Sequence, residues 1–478
     1  MRGGVCDDLR TMSELAAEAG VEEHRLRRQL GVGDLVLAQI LCVVGSSWVG
    51  VAAGLGRAQT LMWLAAMAVF YLPMAAIVIG LNRAMPLEGG LYVWAQRAFG
   101  NLGGYLTAWN LWVYGIAVTA AILYAVPTEI SYLLGPSAAW LPENRPVALS
   151  IVAGLVLAIT LAAVRGLELG KWIHNVGGMA MLAVFVGLIA LPFWAMARGT
   201  LPGRMELALV APPMDARSMA LFGQMIFGAL CGLEYIAIFA GESRQPARSI
   251  GRSVWIATPA ICAMFILGTS SVAAFARAGH IDFIAPIPQT LRIALGNSSL
   301  GSYVAMAAIL LLQLRLLGAA SYLFTGVTRL PMAVGWDGLV PEWYTRLSKR
   351  GTPVNSILLA AALVLALVGM AAFGVHAQEA YQVLSNASLT HYELTYLAMF
   401  AIPMVGAKAL RRQFPGWLKW VGLVGFLATL FSLLISAYPF VEVRDAGVYA
   451  AKIVGTVTVS NLVAVGFYWV RRTRRRQT

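Results

Sequence analysis

Apolar runs of bilayer-crossing length recur along the chain, set apart by short connections rich in charge, Gly and Pro. A membrane-spanning helix needs about 20 mostly apolar residues. The pattern predicts twelve such helices, at 34–56, 58–81, 102–128, 146–164, 175–197, 218–241, 255–277, 302–328, 353–375, 377–405, 416–438 and 447–470. Lipid offers the backbone no hydrogen-bond partners, so each crossing must satisfy its own amides. The expected fold class is an all-α polytopic membrane protein.

Two spans carry signals that break this rule. Span one reads Val44-Gly45-Ser46-Ser47-Trp48-Val49-Gly50, and span six reads Phe227-Gly228-Ala229-Leu230-Cys231-Gly232-Leu233-Glu234. Glycine in membrane helices also serves close packing. Paired glycines at matching places in two five-helix halves, one pair running into an acid, point instead to interrupted helices around a solute site. A half-helix starting near Ser46–Trp48 presents N–H groups and a positive dipole end, suited to a carboxylate. Carbonyls ending the first half of span six, around Phe227–Ala229, suit an ammonium group or a cation.

Polar positions inside the other spans fall at helical spacing. Span ten has Glu379, Gln382, Asn386, Thr390 and Glu393 on one face, and span eight has Arg315, Gly318, Tyr322, Thr325 and Arg329. Such stripes turn from lipid toward the bundle interior or a water path. A charge at mid-bilayer costs about 2.5–3.5 kcal/mol on insertion scales. Arg315 and Glu393 lie at depths differing by about 5 Å at ~1.5 Å rise per residue, which predicts an ion pair, either permanent or opened during gating. Glu234, directly after the second break, is placed to hold a substrate amine, to carry a proton, or only to shape the break. On span three, Asn110, Tyr114 and Tyr124 share a face. His391 stands beside Glu393 with no spacing that supports a metal.

Composition sharpens the class. The chain is 59% apolar and 12% charged, with mean hydropathy +0.74, about half the charge of a soluble domain. A soluble enzyme and a nucleic-acid binder are excluded. With the amino terminus inside, the inner connections and tails hold 25 Lys and Arg and the outer ones 8. This asymmetry puts both termini in the cytoplasm of a cell membrane. The net charge of +13 is then mostly topological signal and contact with anionic headgroups. Residues 1–33 carry no cleavable signal peptide, so translocation is expected to start from the first span; Ser13–Leu30 reads as a tail or a surface helix. Cys6, Cys42, Cys231 and Cys262 are scattered and form no disulfide framework. No cofactor is implied.

Pro86-Leu87-Glu88-Gly89-Gly90-Leu91-Tyr92-Val93-Trp94, followed by Ala98-Phe99-Gly100, resembles the segment before the third helix of amino acid permeases in the amino acid–polyamine–organocation superfamily. Gly232-Leu233-Glu234 with 239–248 is similar to that family's sixth helix and following loop. Asp337-Gly338-Leu339-Val340-Pro341 with Thr352-Pro353 is similar to its loop after helix eight. The resemblance implies a leucine-transporter-like arrangement: residues 34–197 as a first five-helix repeat, 218–405 as an inverted second, 416–470 as two further helices, and tails at 1–33 and 471–478. It also implies alternating access with substrate at Gly45, Ser46, Ser47, Trp48, Gly50, Asn110, Tyr114, Phe227, Gly228, Cys231, Gly232 and Glu234. Glu234, Arg315, Tyr322 and Glu393 are the coupling or gating candidates. Ser47 stands where the family usually has a second glycine, so either the amide cradle is reshaped or Trp48 walls the pocket. The function expected is secondary transport of an amino acid or related amine; a polyamine or organic-cation carrier and a non-transporting sensor are the alternatives. Span five holds no Lys or Arg within 175–197. Proton symport, sodium coupling and plain exchange stay open.

Overall fold

A computed structural model describes residues 32–85, 90–165, 168–205, 207–234, 246–276, 281–296, 299–333, 342–348, 352–373 and 375–475. Among them there are helices and no strands. The main elements are α1 (Val32–Val43), α2 (Ser46–Ala53), α3 (Gly56–Ala84), α4 (Leu91–Leu134), α5 (Arg145–Arg165), α6 (Glu168–Ala197) and α7 (Ala216–Gly223). They continue with α8 (Pro246–Phe275), α9 (Pro286–Leu295), α10 (Ser299–Ala333), α11 (Val354–Ala372), α12 (Ala377–Val405), α13 (Leu418–Ile435) and α14 (Ala446–Arg475). Nine helices among the described residues are long and apolar enough to cross a membrane. The predicted spans one, six and ten are not in that set. The first two are interrupted, and α12 has the length but carries the Glu379–Glu393 stripe.

Helix ends differ from the expected bounds by several residues, and two departures have a clear physical reason. The third span starts at Leu91, eleven residues early, and absorbs a kink at Gly100, where φ is 80°. The amphipathic α9, opened by Pro286, was not foreseen because its length falls short of a crossing. The tail 1–31 with its Ser13–Leu30 stretch, the motif residues 86–89, 235–245 and 334–341, and residues 476–478 lie outside the described residues.

Contacts between connections show which ends of the helices gather. Tyr132 at the end of α4 donates to Asp282 before α9, Arg145 reaches the Val375 carbonyl, and Arg217 reaches the Phe440 carbonyl. At the opposite end the Ala407 amide bonds the Ala98 carbonyl, and Gly80 packs on Leu418. Buried apolar side chains form two clusters, one centred on α1–α3, α6–α8 and α13, the other on α4, α5, α10, α11 and α14. Small residues let α4 and α10 approach, as membrane packing favours: a methyl on Gly115 would meet Val327 at 2.9 Å. The two broken helices belong to the first of these clusters.

Candidate functional site

The first break is two residues long. The α1 ladder ends with the Val44 amide on the Ile40 carbonyl, Gly45 is extended (φ −101°, ψ 145°), and a new helix begins at Ser46. Gly45 stands at its N-cap position and caps it with no side chain. The N–H groups of the first turn therefore face the break with a positive dipole end behind them. On the other side of the break, Arg315 of α10 donates from Nη2 to the Val44 carbonyl at 2.9 Å. A buried carbonyl with no partner costs about 1–3 kcal/mol, so this guanidinium holds the unwound segment in place.

The second break is prepared by a change of helix type. After α7 the chain widens into a π-turn, Gln224–Gly228, closed by the Ala229 amide on the Gln224 carbonyl. It then unwinds through Cys231 to Glu234, with Gly232 at φ 105°, a region closed to most other residues. The Gly232 amide donates to the Tyr396 hydroxyl at 2.9 Å. Tyr392 and Tyr396 of α12 both donate to the Glu234 carboxylate. The Phe227 carbonyl is engaged by the Cys231 amide, so one of the predicted cation acceptors already serves the turn.

Trp48 ties the two breaks together. A methyl added at Gly45 would sit 2.5 Å from the indole Cδ1, and one added at Gly228 would sit 2.6 Å from Cη2. The ring thus lies edge to edge across both glycines, and neither tolerates a Cβ without displacing it. Beside the ring opens a cavity of about 220 Å³. Gly45, Ser46, Ser47 and Trp48 form one wall, Gly228, Cys231 and Gly232 another; Tyr114, Arg315 and Tyr322 project from α4 and α10.

The family model for amino acid permeases matches residues 32–468. The chain belongs to the amino acid permease family. The permease lies within the amino acid–polyamine–organocation superfamily and is a membrane transporter, not an enzyme. It is 24% identical to an uncharacterized transporter of Legionella pneumophila over 379 residues, 78% of this chain and 80% of that protein. It is 22% identical to the "probable agmatine/putrescine antiporter" of Lactococcus lactis, covering 67% of each chain. It is also 22% identical to an aspartate/glutamate permease of Lactococcus lactis, covering 71% of each.

Several side chains singled out in the permease sequence lie away from the cavity. Asn110 exchanges amide hydrogen bonds with Asn461 of α14, at 2.8 and 3.1 Å, because its face of α4 packs on the last helix. Tyr124 is buried in the cluster around α4 and α5. Phe227 sits in an aromatic nest with Phe70, Tyr392 and Tyr396. Gly50 makes room for α9: a methyl there would meet Pro286 at 2.6 Å. Glu234 is screened by Tyr392, which stacks on the cavity residue Tyr114 at 4.0 Å.

The Arg315–Glu393 pair is not formed. Glu393 accepts from Ser432 of α13, while Arg315 is committed to Val44. The reason is helical phase. The stripe 379–393 points about 120° away from Tyr381, Ser385 and Ser388, the polar α12 residues that do line the cavity. His391 bonds its own helix through the Ala387 carbonyl, and no metal-holding cluster occurs among the described residues.

The sequence reading missed Glu129, Tyr381, Ser385 and Ser388. Glu129 is buried in the cavity wall and accepts from Gln313 at 2.8 Å. It continues the stripe Tyr114, Val118, Ala121, Ala125 at helical spacing, a signal present in the sequence but hidden at the span's end. Tyr381 lies against the Ser47 hydroxyl.

Proposed function

We propose that this permease carries a small amino acid or a related amine across the cell membrane by alternating access, holding it between the two helix breaks. The carboxylate sits on the first-turn amides of α2, with Arg315 adding positive charge at the break. The ammonium sits against the carbonyls near Gly228–Cys231. Trp48, touching both breaks, forms the wall that senses whether the site is filled. Twelve crossings are arranged as two inverted five-helix repeats followed by two helices, with both termini in the cytoplasm. The observation that supports this reading best is that both interruptions line one cavity, since unwound backbone at membrane depth survives only where it lines such a space.

Unwound carbonyls are also where a coupling sodium ion would bind. The guanidinium of Arg315 on the Val44 carbonyl supplies a tethered cation there, so transport proceeds without sodium. Glu129 favours a second reading, in which a diamine or other organic cation is carried and the carboxylate cradle is idle.

Uptake into proteoliposomes, challenged with a free amino acid, its decarboxylated amine and its amide, separates these readings. Competition by the free amino acid alone supports the cradle, and competition by the amine alone supports the organic-cation carrier. Binding without flux would make the protein a sensor and overturn the transport reading.

A further inference from the structure

Sharing no lining residue with the central cavity, a second space of about 910 Å³ lies between α3, α8 and the turn that leads into α13. Its floor is built from small and aliphatic side chains, Ala75, Ala76, Ile79 and Gly80 of α3 against Val254 and Cys262 of α8. Gly80 is where α3 meets Leu418, whose Cδ2 lies 2.8 Å from where a methyl would stand. At the mouth are Arg83 and Gln413, flanked by two indoles that point outward: Trp255 is 82% exposed and Trp417 56% exposed. Tryptophan at such a level marks the boundary between hydrocarbon and headgroups. Arg83 has no acidic partner among the described residues, and the segment 408–419 beside it carries Lys408, Arg411, Arg412 and Lys419 with no acid.

We propose that this groove binds an anionic phospholipid, with an acyl chain along Ala75, Ala76 and Ile79 and the phosphate on Arg83. The groove is apolar over its length and cationic only at its mouth, which matches a lipid and not a free anion. A zwitterionic lipid also offers its phosphate to Arg83, but its choline cation then lies beside the basic 408–419 segment, whereas an anionic lipid adds no such charge. Basic pockets between membrane helices take anionic headgroups on these grounds, and one well-placed cation favours them by about fivefold.

The test is native mass spectrometry of the full chain released from nanodiscs of equimolar phosphatidylglycerol and phosphatidylcholine. Phosphatidylglycerol will be retained over phosphatidylcholine by about fivefold. Arg83→Gln will bring the ratio close to one and Arg83→Lys will preserve it. Ala76→Trp, which fills the groove without touching the charge, will reduce retention of both lipids. Arg57→Gln, at the other end of the bundle, will leave the ratio unchanged. Equal retention of the two lipids by the wild type would overturn the proposal. So would wild-type retention in both Arg83→Gln and Ala76→Trp, or a dimer mass that Ala76→Trp abolishes, which would assign the groove to a second copy of the chain.

Discussion

The two faces of α12 are built from similar residues and do different work. One face presents Glu379, Gln382, Asn386 and Glu393 to neighbouring helices. Asn386 accepts from Gln224 at 3.0 Å and donates to the Ser436 carbonyl and Tyr449 hydroxyl at 2.8 Å each; Glu379 accepts from the Arg444 amide. The other face presents Tyr381, Ser385 and Ser388 to the cavity. Polar side chains inside a membrane hold helices together when their partners are protein. They are available to a solute when they line a space. Polarity and burial alone do not distinguish the faces; the neighbour does.

Replacing one charge on each side of this divide gives the sharpest contrast. Arg315→Met takes away the donor to Val44 and the cation at the first break, while nearly keeping the side chain's length. Thermal unfolding will show a loss of about 1–3 kcal/mol from the orphaned carbonyl, and proteoliposome uptake will fall at least about tenfold, the equivalent of 1.4 kcal/mol. Arg315→Lys, a point charge without the planar fork, will recover part of the uptake. Full uptake by the methionine variant would erase the functional side of the comparison.

Glu393 predicts the opposite balance. The one hydroxyl proton of Ser432 serves either Glu393 or the Gly223 carbonyl, at 2.9 Å, and the second Glu393 oxygen has no hydrogen-bond partner. Glu393→Leu leaves Ser432 wholly to Gly223 and takes an unsatisfied oxygen out of the interior. Stability will stay within about 1 kcal/mol, since removing a half-satisfied polar group by an apolar one is nearly neutral, and uptake will change by less than about twofold. A large loss of uptake with unchanged melting would move Glu393 to the working side.

The outcome for these two residues explains what the sequence could tell. Hydrophobic runs locate helices because length and apolarity are local properties, and the glycine-rich breaks are legible because unwinding needs glycine, as Gly232 at φ 105° shows. A stripe such as Glu379–Glu393 gives the phase of a helix but not the identity of what it faces. Asn110 faces Asn461, 351 residues later, and no local pattern encodes that distance. Trp48 read as an oddity in a small-residue motif; its fit over Gly45 and Gly228 exists only once both breaks are folded against each other. Glu129 was hidden for the reverse reason: an acid at the end of a span reads as interface.

The smallest effect expected comes from an acid in the connection between α8 and α9. Asp282 accepts from the Ile284 and Ala285 amides at 2.9 and 3.1 Å and from the Tyr132 hydroxyl at 2.9 Å, pinning the entrance of α9 to the end of α4. Burial nevertheless outweighs these bonds and pushes its carboxyl above the ordinary aspartate value of 3.8. The folded state then keeps this proton to higher pH than the unfolded chain does. The group's contribution to stability is present in full below the ordinary value and is lost as pH rises through the raised one. Wild-type melting temperature will decline across that window, measured by light scattering or tryptophan fluorescence in detergent. Asp282→Asn keeps an acceptor for the two amides and a partner for Tyr132 but cannot titrate, so its melting curve will be flatter there. An unchanged slope in Asp282→Asn would show that the decline comes from another group.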